Sequence, residues 1–473
     1  MDSLTGSLAG RDVTTPLADL AGVDQPVPVL SGASRRYVNL DNAASTPALV
    51  CVRDAVDEFL NWYGNVHRGA GFKSQLSSWA FEQGRDRVAR FVGAERSDSV
   101  VLFCKNATEA INKLAHRYPF RPGDVVVTTL MEHHSNELPW RRVAEVVHVG
   151  LLPDGRVDEK DLARKLDDFR GRVRLLAVTG ASNVTGYVNP IHDWAAMAHR
   201  AGAEIVVDAA QLAPHRSIDA RPSEDPEHLD YLALSAHKMY APFGIGVLVG
   251  NRRTFETGDP DMVGGGTVDI VGLESAYWAD LPDREEAGTP DIVGVVALAR
   301  AIRALEELGW EAIARHEADV TAYALERLSR IPGVVLYGDA DPKTASSRLG
   351  VIPFNVERLP HALTAAVLSC EWGIGTRNGC FCSHPYVQAI LGVPKIEAEA
   401  VQKSILARDR SRVPGAVRAS IGLGNTSEDI DCLGEALESI SRGRFEAGYV
   451  LNAERGEYIH PRFRPDFDSR VRF

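Results

Sequence analysis

Residues 377–385 read RNGCFCSHP, which sets Cys380 and Cys382 one residue apart beside Arg377, Gly379 and His384. Thiols so placed are open to three chemistries: metal ligation, a disulfide, or nucleophilic attack from a loop. A C-x-C metal clip wants a second pair of ligands close by, and here there are only His384 and the distant Cys370. A disulfide between residues two apart is geometrically strained, so it would be at most a redox state of the loop. A nucleophile needs its thiolate, which the nearby charges of Arg377 and His384 favour.

A second centre lies in LDYLALSAHKMYAPFGIGVLVG (229–250), where an apolar run leads straight into Ser235, His237 and Lys238 and then a Gly/Pro turn. A surface lysine at a turn is the ordinary reading. The chemical reading is a Schiff-base lysine, whose amine becomes nucleophilic when burial and nearby cations lower its pKa. VVDAAQ (206–211) puts Asp208 at the carboxyl end of another apolar run, where open α/β sheets gather ligands. Such a carboxylate either caps a helix or needs a cationic partner. A protonated pyridine nitrogen is one, and an Asp opposite it keeps a pyridoxal ring an effective electron sink.

Three more run ends suit the same ligand. CKNATEAIN (104–112) begins a helix at Ala107 and Thr108, whose N–H groups and hydroxyl suit a phosphate. LMEHHSN (130–136) offers His133 to stack on an aromatic ring, and TGASNVTG (179–186) offers Asn183 to a phenolic oxygen. Each is weak alone. Together, five run ends supply what pyridoxal 5'-phosphate requires.

These groups need a scaffold that brings run ends together. SVVLFC (99–104), DVVVTTL (124–130), VRLLAVTG (173–180), AEIVVDAA (203–210), DYLALSA (230–236) and GIGVLVG (244–250) alternate with helical stretches such as 74–93. That alternation predicts βαβ units and a parallel sheet covered on both faces. After GTPDIVG (288–294) the pattern predicts helices over 292–308 and 311–330 and strands near 334–337 and 349–356, then helices over 361–370 and 427–441. The expected organisation is an N-terminal arm (1–34), loose or borrowed by a partner, and a large α/β domain (35–294). A smaller α+β domain carrying RNGCFC (295–442) and an irregular tail (443–473) follow.

The chain has 473 residues, 45% of them hydrophobic, enough for a large core. Lys+Arg 52 against Asp+Glu 64 gives a net charge of −12 without a basic stripe, so nucleic acid is not an expected partner. The start has no signal-like apolar stretch, and no run approaches the roughly 18 apolar residues of a membrane span, which predicts a cytoplasmic protein. Six scattered cysteines favour reduced thiols.

The segments NLDNAAST (39–46), NVHRG (65–69), NATEAIN, MEHHSN, SNVTG, VDAAQ, SAHK, GGGT (264–267), GTP (288–290), RNGCFC and VRASIGLGNTSEDID (417–431) carry a resemblance. In this order they look like the motifs of the cysteine desulfurase and selenocysteine lyase branch of class V aminotransferases, over roughly residues 36–442. The resemblance implies a fold-type I pyridoxal-phosphate enzyme that is a homodimer with active sites at the subunit interface. It implies that Lys238 binds the cofactor covalently, Asp208 pairs with the pyridinium and His133 stacks on the ring. Gln211 and Asn183 would approach the phenolic oxygen, and Ala107, Thr108, Ser235 and His237 would hold the phosphate. Thr267 would reach the neighbouring subunit's phosphate. Arg418, with Arg377 and Asn183 near it, would bind the substrate carboxylate.

Arg377, Gly379 and Cys382 match the family's R-x-G-x-x-C pattern, and Cys380 is an addition to it. The implied reaction moves sulfur from L-cysteine to a persulfide on Cys382, releases L-alanine, and passes the sulfur to a protein or small-molecule acceptor. Residues 386–416 form a longer connection than the branch leads one to expect. It is either a lid shaping the pocket or a solvated helix. As a lid it would leave room for a C–S lyase, aminotransferase or epimerase acting on a larger amino acid or cysteine conjugate. A cofactor-retaining docking protein without turnover is a third reading, against which the intact Lys238, Asp208, His133 and Arg418 stand.

Overall fold

Uninterrupted β-branched and apolar runs can be buried on both faces only at the centre of a covered sheet. In the computed structural model, which describes residues 13–67 and 69–471, they do so. The strands are β1 (Ser99–Cys104), β2 (Val125–Thr129), β3 (Glu145–Val149), β4 (Val173–Thr179), β5 (Glu204–Asp208), β6 (Tyr231–Ser235) and β7 (Gly246–Asn251). Their spatial order is β1-β7-β6-β5-β4-β2-β3. All neighbours pair in parallel except β7, which runs antiparallel between β1 and β6. The sheet is thus mainly parallel, as expected; at β7 the turn after β6 is too short for a crossover, so the chain returns as an antiparallel neighbour. Strand β3 was not expected, because Glu145 and His148 interrupt its apolar run at the sheet's edge.

Side-chain alternation feeds two cores. Val101, Phe103, Val127 and Leu234 enter one, while Val100, Leu102, Val126 and Ala233 enter the other. Each fully buried Val, Leu or Phe contributes about 1.5–3 kcal/mol. Helix α1 (Ala107–Arg117) starts where Asn106 accepts the Glu109 N–H at 3.0 Å, and it carries Glu109 in its first turn and Arg117 in its last, as the helix dipole favours. Helix α2 (Ile191–Arg200) lies between β4 and β5.

Helices α3 (Ile292–Leu308) and α4 (Trp310–Ser329) lead to a second sheet. It comprises β8 (Val334–Leu336), β9 (Val351–Val356), β10 (Arg377–Gly379) and β11 (Ala416–Ser420), in the order β8-β9-β11-β10 and antiparallel throughout. Helices α5 (His361–Trp372) and α8 (Ser427–Ser441) cover it, burying Leu368, Leu433 and Leu437 against Ile352, Phe354 and Val417. Between β10 and β11 lie α6 (His384–Ile390) and α7 (Lys395–Leu406). Tyr386 and Val387 of α6 are buried, whereas Ile396 and Leu406 of α7 are exposed.

Two expectations about the ends need correction. Residues 13–34 are not loose: the Val13 N–H donates to Ser427 Oγ at 2.9 Å, the Leu17 N–H to the Leu423 carbonyl at 2.8 Å, and the Leu30 N–H to the Cys370 carbonyl at 2.6 Å. Buried Leu20 and Val29 anchor the segment, and their irregular spacing hid it from a periodicity reading. The first twelve residues, Arg68 of the NVHRG motif and the last two residues lie outside the described residues. The tail is not wholly irregular, since β12 (Val450–Asn452) and β13 (Glu457–Ile459) form a hairpin. The Tyr449 hydroxyl beside it donates to Glu371 of α5 at 2.9 Å. Among the described residues, no helix is long and apolar enough to cross a membrane.

Gly246 is where β7 meets the start of α1: a Cβ there would lie 2.3 Å from Asn106 Cα and 2.5 Å from its carbonyl carbon. Backbone cannot yield as a side-chain tip does. We expect Gly246→Ala to destabilise the fold by roughly 1–3 kcal/mol, read as a lower thermal midpoint.

Candidate active site

A cavity of about 300 Å³ opens at the carboxyl ends of β1, β2, β4, β5 and β6. Ala107 and Thr108 reach it from β1, His133 from β2 and Asn183 from β4. Asp208 and Gln211 follow β5, and Ser235, His237 and Lys238 follow β6. The second sheet closes the opposite wall with Arg377, Phe381, Cys382 and Arg418. Residues far apart in sequence thus meet because parallel strands end on one edge.

The start of α1 gathers backbone N–H groups and hydroxyls, a set suited to an anion: the Ala107 N–H donates to Ser235 Oγ at 2.8 Å, and the Thr108 and Ser135 hydroxyls lie 2.7 Å apart. His133 Nδ1 accepts the Ser135 N–H at 3.1 Å. Burial, then the charge of Lys238, lowers the His133 pKa to about 3, and the same two causes lower His237 to about 4. Both rings are therefore neutral near pH 7. Burial also lowers the pKa of Lys238, against the pull of Asp208. Asp208 is raised by burial, while Lys238 and the Ala210 N–H at 3.0 Å oppose the rise. Gln211 Nε2 donates to the Ala43 carbonyl at 2.7 Å.

Arg377 and Arg418 are directly opposed across β10 and β11. Like charges so placed repel, and Asp41 answers them, with Oδ2 2.7 Å from Arg377 and Oδ1 3.2 Å from Arg418. Arg418 also donates to the Asn183 carbonyl at 2.8 Å and lies 5.0 Å above the Phe381 ring. Burial lowers its pKa to about 10 although Asp41 opposes this. Its Nε is buried without a hydrogen-bond partner, an unmet donor suited to a ligand carboxylate.

Phe381 and Cys382 both take left-handed backbone, at φ 51° and 55°, each costing of order 1–3 kcal/mol. Asn183 Nδ2 holds the Phe381 carbonyl at 2.8 Å, and the His134 N–H holds that of Cys382 at 2.7 Å. The turn separates the two thiols. Cys382 is exposed on the cavity wall, whereas half-buried Cys380 points its Sγ at His384 Nε2, 2.8 Å away. Burial pushes the Cys380 thiol up to about 11. His384 therefore does not serve Cys382, as had been expected from spacing. It faces Cys380 on one side and stacks on His134 on the other, ring centres 4.9 Å apart. All six cysteines are free thiols.

Thr267 stands outside this cavity, its hydroxyl donating to the Gly264 carbonyl at 2.8 Å. No residue of 386–416 lines the cavity. Tyr386 instead bonds the Gly155 carbonyl at 2.9 Å and Thr185 at 2.8 Å, so the connection is no lid over this site. Asp41, Asn106 and Phe381 were not singled out from the sequence.

The donor set fits pyridoxal phosphate. A buried amine, a buried carboxylate one strand away, a neutral imidazole and a helix start with hydroxyls are the groups its aldehyde, ring nitrogen, ring face and phosphate demand.

Residues 38–433 match the family model described as Aminotransferase class-V. The chain is similar to a probable cysteine desulfurase of Halalkalibacterium halodurans, 35% identical over 411 residues that span 85% of this chain and 92% of the relative. It is 34% identical to a cysteine desulfurase of Haloferax volcanii, over 85% of this chain and 89% of that one. Among solved structures, the apo cysteine desulfurase of Thermococcus onnurineus superposes with a TM-score of 0.75 at 31% identity, covering 86% of this chain and 95% of that one. The cysteine desulfurase CsdA of Escherichia coli gives 0.71 at 28% identity, covering 87% and 96%.

His133 yields a pH test. Its folded pKa is below the value near 6.5 of an unfolded imidazole, so the unfolded chain takes up the proton first, and stability falls as pH drops below about 6.5 toward the folded value near 3. Denaturant melts at pH 7.5 and 5.5 should show His133→Asn losing less stability over that interval than wild type, by up to about 1.4 kcal/mol.

Proposed function

The chain belongs to the aminotransferase class V family, and we propose that it works there as a pyridoxal-phosphate-dependent cysteine desulfurase. The observation that carries this reading is the exposed thiol of Cys382, which lines the same cavity as Lys238 and Arg418. A transaminase needs no such thiol.

Bound pyridoxal phosphate supplies an electron sink for the bonds at the substrate's α-carbon. Lys238 would hold the cofactor and then move the α-proton, burial shifting its amine toward the neutral form. Asp208 would keep the ring nitrogen protonated, and neutral His133 would cover the ring face without adding charge. Asn183 and Gln211 are assigned to the phenolic oxygen; Ala107, Thr108, Ser235 and His237 are assigned to the phosphate. Arg418 would take the substrate carboxylate with its unpaired Nε, and Arg377, braced by Asp41, would steer it in. The Cys382 thiolate then attacks the substrate sulfur. The new S–S bond would form as the carbon–sulfur bond breaks, the pair from that bond would stay with the β-carbon, which takes a proton, and the α-proton moved by Lys238 would return to complete alanine.

The larger-substrate alternatives rested on the 386–416 connection as a lid, and its absence from the cavity removes that support. A homodimer is part of the proposal. Around Thr267, the side chains of Met262, Val263, Ile270, Val271, Leu273 and Tyr277 are exposed, an apolar strip that a monomer rarely leaves uncovered. A second copy on this strip would bring Thr267 toward the partner's phosphate site. The acceptor would be a protein or small thiol, and free cysteines favour a cytoplasmic setting. Val271→Glu together with Leu273→Glu is expected to shift the sedimentation mass from two chains to one. An unchanged mass would place the interface elsewhere.

The activity is tested with L-cysteine and a reductant, measuring alanine, sulfide and pyruvate. Equal alanine and sulfide are expected, falling by roughly 10²-fold or more in Lys238→Ala and in Cys382→Ala but not in Cys380→Ala. Pyruvate that persists in Cys382→Ala would instead mean a lyase.

A further inference from the structure

At the amino ends of β5 and β6, across the sheet from the cavity, His199, His228 and Asp230 converge. His199 lies in the last turn of α2, and Asp230 immediately precedes β6. His199 Nε2 is 2.9 Å from Asp230 Oδ2, and His228 Nε2 is 3.1 Å from Asp230 Oδ1. The two rings stack with centres 4.2 Å apart and planes 19° off parallel.

Hydrogen-bond accounting makes this cluster unusual. His199 Nδ1 faces the Pro226 carbonyl at 2.7 Å, and His228 Nδ1 faces the Asp225 carbonyl at 2.6 Å. A carbonyl only accepts, so both Nδ1 atoms must carry hydrogen. In the neutral rings each Nε2 then presents a lone pair to a carboxylate oxygen, acceptor against acceptor. Either both rings gain a second proton, which stacks two cations face to face, or a cation stands between the ligand atoms.

The surroundings match a metal site more closely than an ion pair. A ring N–H held by a backbone carbonyl is the usual way a ligating histidine is oriented. The carboxylate is oriented too: the Ile205 N–H donates to Oδ2 at 2.9 Å and Asn251 Nδ2 to Oδ1 at 3.0 Å. One ligand atom from each residue lies within 4.8 Å of the others, and the 2.9 Å between His199 Nε2 and Asp230 Oδ2 is close to the roughly 3.3 Å edge of a tetrahedron with 2.0 Å metal–ligand bonds. The imidazoles also border a cleft of about 630 Å³ that includes Asp98 and Glu204, which gives an ion a way in and a water a fourth position.

We infer that His199, His228 and Asp230 form a binding site for one late divalent cation, Zn²⁺ by its two-imidazole, one-carboxylate donor set. The ion would clip the end of α2 and the 225–230 loop to the start of β6. It is remote from Lys238 and independent of the reaction proposed above.

The test uses the full-length holoenzyme, stripped with a chelator and dialysed against micromolar Zn²⁺ or Co²⁺. The wild type should take up one ion per chain at this site, with Co²⁺ giving visible bands of nitrogen and oxygen ligation. His199→Asn and His228→Asn, whose amides can still serve the backbone carbonyls, should each weaken binding by about tenfold or more and abolish the rise in thermal midpoint that Zn²⁺ gives the wild type. Cofactor absorbance and circular dichroism establish that the variants fold. Should one fail to fold, anomalous scattering at the zinc edge from Zn²⁺-soaked wild-type crystals decides, a peak among the three side chains supporting the site and its absence overturning it. Uptake equal in wild type and variants, or none at all, leaves a doubly protonated pair and overturns the inference.

Discussion

Two buried cations, Lys238 and Arg418, share one small cavity, and the fold is arranged so that both can be there. Each is held below its ordinary pKa by burial and counteracted by a carboxylate, Asp208 for the lysine and Asp41 for the arginine. Removing either acid would leave a charge out of water without its partner, among the most costly changes a core can suffer. The supports come from different layers. Asp208 ends β5 beside the strand that delivers Lys238, so the first pair is set by neighbouring parallel strands. Asp41 precedes both sheets in sequence but bridges to Ser420 at the end of β11 and bonds Arg377 and Arg418, so the second pair is set within the layer that carries the arginines. The site is in this sense the seam between two sheets.

How much of this was legible follows from how far each interaction reaches along the chain. His133, Asn183, Asp208 and Lys238 each follow an apolar run, and a parallel sheet gathers such ends automatically, so sequence alone brought them together. Nothing local marks Asp41 as the partner of Arg377 and Arg418, which lie 336 and 377 residues away. The loop offered a different difficulty. Left-handed backbone at Phe381 and Cys382 has no glycine to announce it, so spacing suggested that His384 would serve Cys382 when the turn sends it to Cys380. The same limit hid the His199, His228 and Asp230 cluster, whose members come from a helix, a loop and a strand start.

The 386–416 connection shows how a departure from a family pattern can be structural without bearing on substrate choice. Its first helix buries Tyr386 against Gly155 and Thr185, and its second stands largely in solvent. The addition thickens the wall behind the Cys382 loop and leaves the cavity lining as the strand ends set it. The hydrogen bonds that fix Phe381 and Cys382 come from Asn183 Nδ2 and the His134 N–H, both on segments that follow strands of the first sheet, so the thiol is aimed by the layer that would hold the cofactor.

The hydrogen bond from Val13 to Ser427 spans 414 residues. On a ribosome adding about 5–20 residues per second, roughly 20–80 s separate the synthesis of its two ends. The segment around Val13 is therefore made long before the partner on which it seats. Throughout that interval its apolar anchors Leu20 and Val29 lack the part of their docking surface that the later chain supplies, so this segment must wait for residues near 370 and 423 before it can be buried.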